Sequence, residues 1–172
     1  AMGLLKAAVR DDNPVGVMES ELMYNWTGEV PDSEVIVPIG KADIKRPGKE
    51  VTLISYGKPV RMVLDAAAEL EKQGIDAEVV DLRSIRPIDE QMIYASVRKT
   101  HRAVVVDESW PIASVGSHVA WLLSRFCFDE LDAPVELVSS EDVPMPYNHS
   151  LELEAQPTVD KIVRAAKAVL YV

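Results

Sequence analysis

The sequence predicts an α/β fold: a mainly parallel sheet with helices packed on both faces. Three observations carry that expectation. Short β-branched runs (VTLIS, AEVVDL, AVVVD) recur through the chain, each followed by a turn and then a stretch with three-and-four apolar spacing. Strand–helix alternation at this spacing makes βαβ units, whose crossovers place helices over a parallel sheet. The breakers fall between the periodic segments, with Pro59 where a helix would start and Gly74 where it would end.

Residues 3–10 read as a short helix, Asp11-Asp12-Asn13-Pro14 as a turn, and Val15–Met18 as a buried strand. Residues 20–37 are mixed and irregular, with Gly28 and Pro31, and read as a linker. Pro38–Ile44 is a candidate first strand, turned by Pro47-Gly48 into a second over Val51–Tyr56. Val60, Val63, Leu64, Ala67 and Leu70 line one face of a helix over 59–73. Ala77–Leu82 is a strand, and Asp89 is placed to cap a helix running to about Lys99. Ala103–Asp107 is a strand, 114–128 a helix, and Pro134–Val138 a strand. Residues 144–157 read as a long loop, and Thr158 caps a final helix to about Leu170. The predicted sheet accounts for residues 38–172 and leaves Val15–Met18 without a partner, so that strand belongs to another sheet.

The 172 residues hold 18 Lys plus Arg against 28 Asp plus Glu, a formal charge of −10. Such a surface repels phosphate backbones and attracts basic partners, which argues against nucleic acid. No apolar run reaches the 18 or so residues of a membrane span. The single Cys127 excludes an internal disulfide and suits a reducing compartment. No signal or transit segment is visible, and Ala1-Met2 need not be the native start.

Residue chemistry alone gives no self-contained active site. There is no G-x-G-x-x-G, P-loop or nucleophile elbow. His101, His118 and His149 are too scattered for a zinc signature, and Cys127 reads as a small buried hydrophobe. Ser114-Val115-Gly116-Ser117 opens a helix whose free N–H groups suit an anion, although small residues there more often serve packing. Asp107-Glu108 and Glu141-Asp142 follow predicted strands, where ligands bind in open α/β sheets; carboxylates in such loops are more often a solvated rim. An assembly role therefore outranks a catalytic one. An isolated α/β domain binding a small ligand at its strand ends is the competing class.

Several stretches together resemble the β subunits of thiamine-diphosphate-dependent pyruvate dehydrogenases: GLLKAAVRDDNPV, ESELMY, VPIGKADIKRPG, VVDLRSIRPID, SVRKTHRAVVVDESW, LDAP and DVPMPY. DLRSIRPID is shared with other 2-oxo-acid dehydrogenase β subunits, while VPIGKA with DVPMPY points to the pyruvate branch; a branched-chain or transketolase relative is the alternative. The resemblance implies that residues 38–172 form a transketolase C-terminal-like domain, a three-layer α/β/α with five strands, the first antiparallel to the rest. Residues 1–19 then match the last helix and strand of a pyrimidine-binding domain, the upstream sheet that Val15–Met18 lacks. The family reaction is pyruvate decarboxylation with reductive acetylation of lipoyl groups, feeding acetyl-CoA formation after glycolysis, in the mitochondrial matrix or the bacterial cytoplasm. The resemblance assigns no catalytic residue to this chain, because the family's activating glutamate lies upstream and the diphosphate and magnesium are held by the α subunit. It implies a potassium loop at the carbonyls of Ala8 and Val9 with Asp11 and Asn13 oxygens, incomplete because another ligand lies upstream. It implies as partners an α subunit, a second β subunit, and the small basic subunit-binding domain of the dihydrolipoyl acetyltransferase. The docking contacts fall on Asp132 and the carboxylate of Val172.

Overall fold

A computed structural model describes residues 1–172. Its centre is a five-stranded sheet in the order β1-β3-β2-β4-β5, built from β1 (Asp43–Arg46), β2 (Val51–Ser55), β3 (Ala77–Asp81), β4 (Ala103–Val106) and β5 (Glu136–Val138). The last four strands run parallel and β1 pairs antiparallel with β3. This is the mixed, mainly parallel α/β fold that the sequence predicts.

The central strands β2, β3 and β4 are buried on both faces, so alternate residues serve two cores. Leu53, Val79, Val104 and Val138 face α2 (Pro59–Lys72) and α6 (Val159–Leu170), against Val63, Ala67, Leu70, Ile162 and Ala166. Ile54, Val80 and Val105 face α3 (Glu90–Thr100) and α4 (Val115–Phe126), against Ile93, Val97, Val119 and Leu123. Three layers result. Asp89 caps α3 through Met92 N–H at 3.3 Å and Thr158 caps α6 through Lys161 N–H at 3.2 Å, both as read from the sequence. Gly74 takes φ +80° after α2, the left-handed stop expected there.

The polar exception in the second core is Glu78, fully buried on β3. Its carboxylate accepts Ser96 O–H at 2.5 Å and Gly48 N–H at 3.2 Å, and it pairs with Lys99. Thr52 Oγ1 joins Ser96 and Thr100 at 2.8 and 2.7 Å, so the buried polar atoms are mutually satisfied.

Four expectations are corrected. Val15–Met18 forms no strand: it is exposed, with Met18 98% accessible, because no strand in this chain offers its backbone a ladder. The first strand is Asp43–Arg46 rather than Pro38–Ile44, because residues 40–43 are held by the loop after β3, as described below. It pairs with β3 and not beside β2, since both edges of β2 are taken by parallel ladders to β3 and β4. Residues 144–157 are not all loop: Asn148 caps α5 (His149–Ala155), accepting N–H bonds from Ser150 and Leu151 at 3.0 and 3.3 Å. The first predicted helix is present as α1 (Met2–Val9).

Candidate functional site

The carboxyl ends of the parallel strands are the expected ligand edge of such a sheet. Here their polar groups are bound to one another. Asp107, 1% exposed at the end of β4, accepts the Tyr56 O–H at 2.9 Å, the Ser109 N–H and O–H at 2.9 and 2.8 Å, and the Gly116 N–H at 2.7 Å. The anion at the start of α4 is thus the chain's own Asp107. Ser114 and Ser117 close a reciprocal capping box there, and Gly116 makes the approach possible, since a Cβ would meet Asp107 Cβ at 3.0 Å. Burial, and then the bond to Asp107, raise the Tyr56 hydroxyl far above its ordinary range, so it stays a donor. Lys58 pairs with Glu108, and Glu141 is held below the carboxylate range by Lys161 at 2.8 Å. At this edge Lys58 is already paired with Glu108, and an anion would face the carboxylates of Asp107 and Glu108.

The histidines lie apart in role. His118 stacks on Trp121 with centroids 5.9 Å apart, His101 Nδ1 bonds the Glu130 carbonyl at 2.8 Å, and His149 lies 3.7 Å from Glu152. Cys127 is buried, and that burial pushes its thiol up. No three His, Cys, Asp or Glu side chains group as a metal site would need.

At the potassium loop, Asp11 Oδ1 accepts both the backbone N–H and the side-chain amide of Asn13 at 2.9 Å, which holds its carboxyl below the ordinary range. The Ala8 carbonyl accepts the Asp11 N–H at 3.2 Å at the end of α1, adjoining Val9. Folded this way, the four residues make a helix exit and an Asx turn. The Ala8 carbonyl and Asp11 Oδ1 are the two oxygens of the loop that accept these bonds.

Asp132 and the chain end come together. Asp132 N–H donates to the His101 carbonyl at 2.9 Å, and its carbonyl accepts the Tyr171 O–H at 3.4 Å. Its carboxylate pairs with Arg102 Nη2 at 2.9 Å while remaining half exposed. Tyr171 caps α6 in the left-handed conformation, φ +60°, and Val172 N–H bonds the Lys167 carbonyl at 3.2 Å, leaving Val172 exposed.

Sequence reasoning named DLRSIRPID without a role for its residues, and the structure supplies one. Ser84 Oγ accepts the Gly40 N–H at 3.0 Å, Asp89 Oδ2 accepts the Ala42 N–H at 3.1 Å, and Arg83 pairs with Asp43. Pro87 packs against Gly40, whose φ of +77° and missing Cβ allow it. VPIGKAD and DLRSIRPID are therefore one clamp, and the signal in the sequence is a pair of polar loops with no ligand chemistry between them.

Residues 40–162 match the transketolase C-terminal domain family. The chain is 49% identical over 172 residues to the pyruvate dehydrogenase E1 component subunit beta of Rhizobium meliloti, covering 99% of this chain and 37% of that protein. It is 51% identical to the mitochondrial subunit beta-2 of Oryza sativa, covering 99% and 46%, and 47% identical to the mitochondrial subunit beta of Caenorhabditis elegans, covering 99% and 50%. A solved split-gene transketolase, an inactive beta4 tetramer, superposes with a TM-score of 0.70 at 32% identity, over 84% of this chain and 46% of that one. The chain thus spans half or less of the length of these relatives.

Proposed function

Because the chain belongs to the transketolase C-terminal domain family, we propose that it serves as part of a pyruvate dehydrogenase β subunit, in assembly and docking rather than in bond-making. The observation that carries this is the identity of 47–51% across 99% of the chain to β subunits of pyruvate dehydrogenases. The strand-end chemistry supports the division of labour. Tyr56, Asp107, Ser109 and Gly116 satisfy one another, and Lys58 with Glu108 does the same. Thiamine diphosphate and magnesium then belong to the assembled enzyme, with an α subunit and a second β subunit as partners. Residues 1–19 are the piece of the pyrimidine-binding domain, 20–37 the linker and 38–172 the assembly domain. The working compartment is the mitochondrial matrix, or the cytoplasm in a bacterium. The loop at Ala8, Val9, Asp11 and Asn13 is then an incomplete potassium site, with a further ligand supplied from outside this chain.

The docking face is the one formed by Asp132 and Val172. The Asp132 side chain and Val172 are accessible, sit on bonded backbone and belong to a chain of charge −10, which suits a small basic subunit-binding domain of a dihydrolipoyl acetyltransferase. The test is to titrate that basic domain onto this chain by calorimetry at two salt concentrations, with Asp132→Ala and with residues 171–172 removed. Loss of a desolvated pair weakens binding by about 2–5 kcal/mol, and a rim charge mainly slows association. Binding of both variants like wild type, unmoved by salt, refutes docking here. In the same instrument, tight binding of a nucleotide would favour the small-ligand reading instead.

A further inference from the structure

We propose that Arg102 sets the specificity of the docking face, acting as an internal counter-ion that fixes the Asp132 carboxylate and limits how much of its charge a basic partner meets. The proposal rests on the docking reading above. Arg102 sits between α3 and β4, and its carbonyl accepts the Thr52 N–H at 2.8 Å and the Thr100 O–H at 3.1 Å. Its backbone is therefore fixed on β2 and α3. Asp132 is anchored independently, by its N–H to His101 and its carbonyl to Tyr171. Two fixed backbones thus hold the ion pair at 2.9 Å.

The pair is asymmetric. The Arg102 side chain is 27% exposed and that of Asp132 51%, so the carboxylate faces outward over a partly covered cation. Arg102 Nε is buried with no hydrogen-bond partner, and Asp132 is the one acidic group paired with this guanidinium. An orphan donor of this kind is costly. The guanidinium has one acidic partner, reached through Nη2, and Asp132 partly masks it. Glu130, two residues before Asp132, is paired with Arg98 at 2.9 Å, and the Val172 carboxylate belongs to the same proposed face. His101 faces the Glu130 carbonyl rather than the pair.

Two consequences follow for a basic partner. With Arg102 present, Asp132 attracts it with a charge already half answered. With Asp132 removed, a masked cation becomes an uncompensated one on the docking face and repels the partner. The cost of Asp132→Ala is therefore part lost attraction and part unmasked repulsion.

The experiment uses the same basic subunit-binding domain and this chain, comparing wild type, Arg102→Met, Arg102→Lys, Asp132→Ala and the Arg102→Met/Asp132→Ala double variant across a salt series. Thermal melts accompany each, and Arg102→Gln replaces the Met variant if the latter is unfolded at the assay temperature. Arg102→Met is expected to tighten binding by about two- to fivefold, the size of one exposed charge interaction, and to steepen the salt dependence. Arg102→Lys, keeping the charge, is expected to retain the wild-type salt dependence. The double variant is expected to bind more tightly than Asp132→Ala alone. If Arg102→Met binds no more tightly than wild type, or the double variant no more tightly than Asp132→Ala, the role of Arg102 is overturned while a weakened Asp132→Ala keeps the docking reading. If Asp132→Ala binds as wild type without salt dependence, both fall.

Discussion

Gly48→Ala should be among the most damaging single-methyl changes in this chain. Gly48 follows Pro47 after β1, and its backbone lies against β3: a Cβ there would sit on Ala77 and Glu78 and 2.6 Å from the Ala77 carbonyl oxygen. The contacts with the Ala77 carbonyl carbon and the Glu78 nitrogen would be shorter still and ordinary contact begins near 3.4 Å, so something must move by about 1.1 Å. The obstruction is backbone, and β3 is held between β1 and β2, so it cannot yield without opening a ladder. Overpacking of this kind costs about 1–3 kcal/mol. The shift also pulls the Gly48 N–H from the buried Glu78 carboxylate, a bond at 3.2 Å of the charged class worth about 1.5–3 kcal/mol. The expected loss is roughly 3–5 kcal/mol, which for a domain of this size lowers Tm by about 6–20 °C. Circular dichroism melts and urea titration measure it. Gly28→Ala is the control, since nothing lies within 4 Å of its Cβ position and it should change stability by no more than about 0.5 kcal/mol. A Gly48→Ala shift indistinguishable from that of Gly28→Ala would refute the close-approach argument.

Lys99→Met should cost about 3–5 kcal/mol in a urea titration, because it strips the counter-ion from a fully buried Glu78. Thr158→Ala should cost about 1 kcal/mol through the lost cap of α6. Cys127 should react with a thiol reagent far more slowly than a free thiol at pH 8, because burial raises its pKa and leaves little thiolate, and unfolding in urea should release it. Asp43, held below the ordinary carboxylate range by Lys45 and then Arg83, contributes stability that is present above its unfolded pKa of 3.8 and lost as pH falls through its lower folded value. Asp81, raised by burial, acts in the opposite sense, its penalty easing as pH falls through its folded value. Asp43→Asn should therefore flatten the acid limb of stability against pH, and an unchanged limb would count against that pairing.

The parallel strands and their helices were legible because both cores are local in pattern: Leu53-Ile54, Val79-Val80 and Val104-Val105 each split between opposite faces, and Asp89 and Thr158 announce their helices. What misled was non-local. Pro47-Gly48 looks like a hairpin turn, yet Gly48 is needed for passage across β3, a fact about a strand thirty residues away. Val15–Met18 has strand composition and no partner within the chain. Asn148 was a readable cap hidden in a proline-rich stretch. At the candidate site, the acidity of Asp132 was visible, while Arg102, which answers it, was not, because the two meet only where the Asp132 N–H bonds the His101 carbonyl, thirty residues away in the chain.

The clamp between residues 40–43 and the loop after β3 governs how force and motion pass into this domain. Gly40, Ala42 and Asp43 are gripped by Ser84, Asp89 and Arg83, and Asp89 is also the first cap of α3. A pull on the preceding segment is therefore delivered to the end of β3 and the start of α3 at once, not to the edge strand alone. Ahead of Gly40, Val37 N–H bonds the Gly3 carbonyl at 3.1 Å and Trp26 lies 4.9 Å under Arg61. Residues 20–37 are thereby tied at one point to α1 and at another to α2.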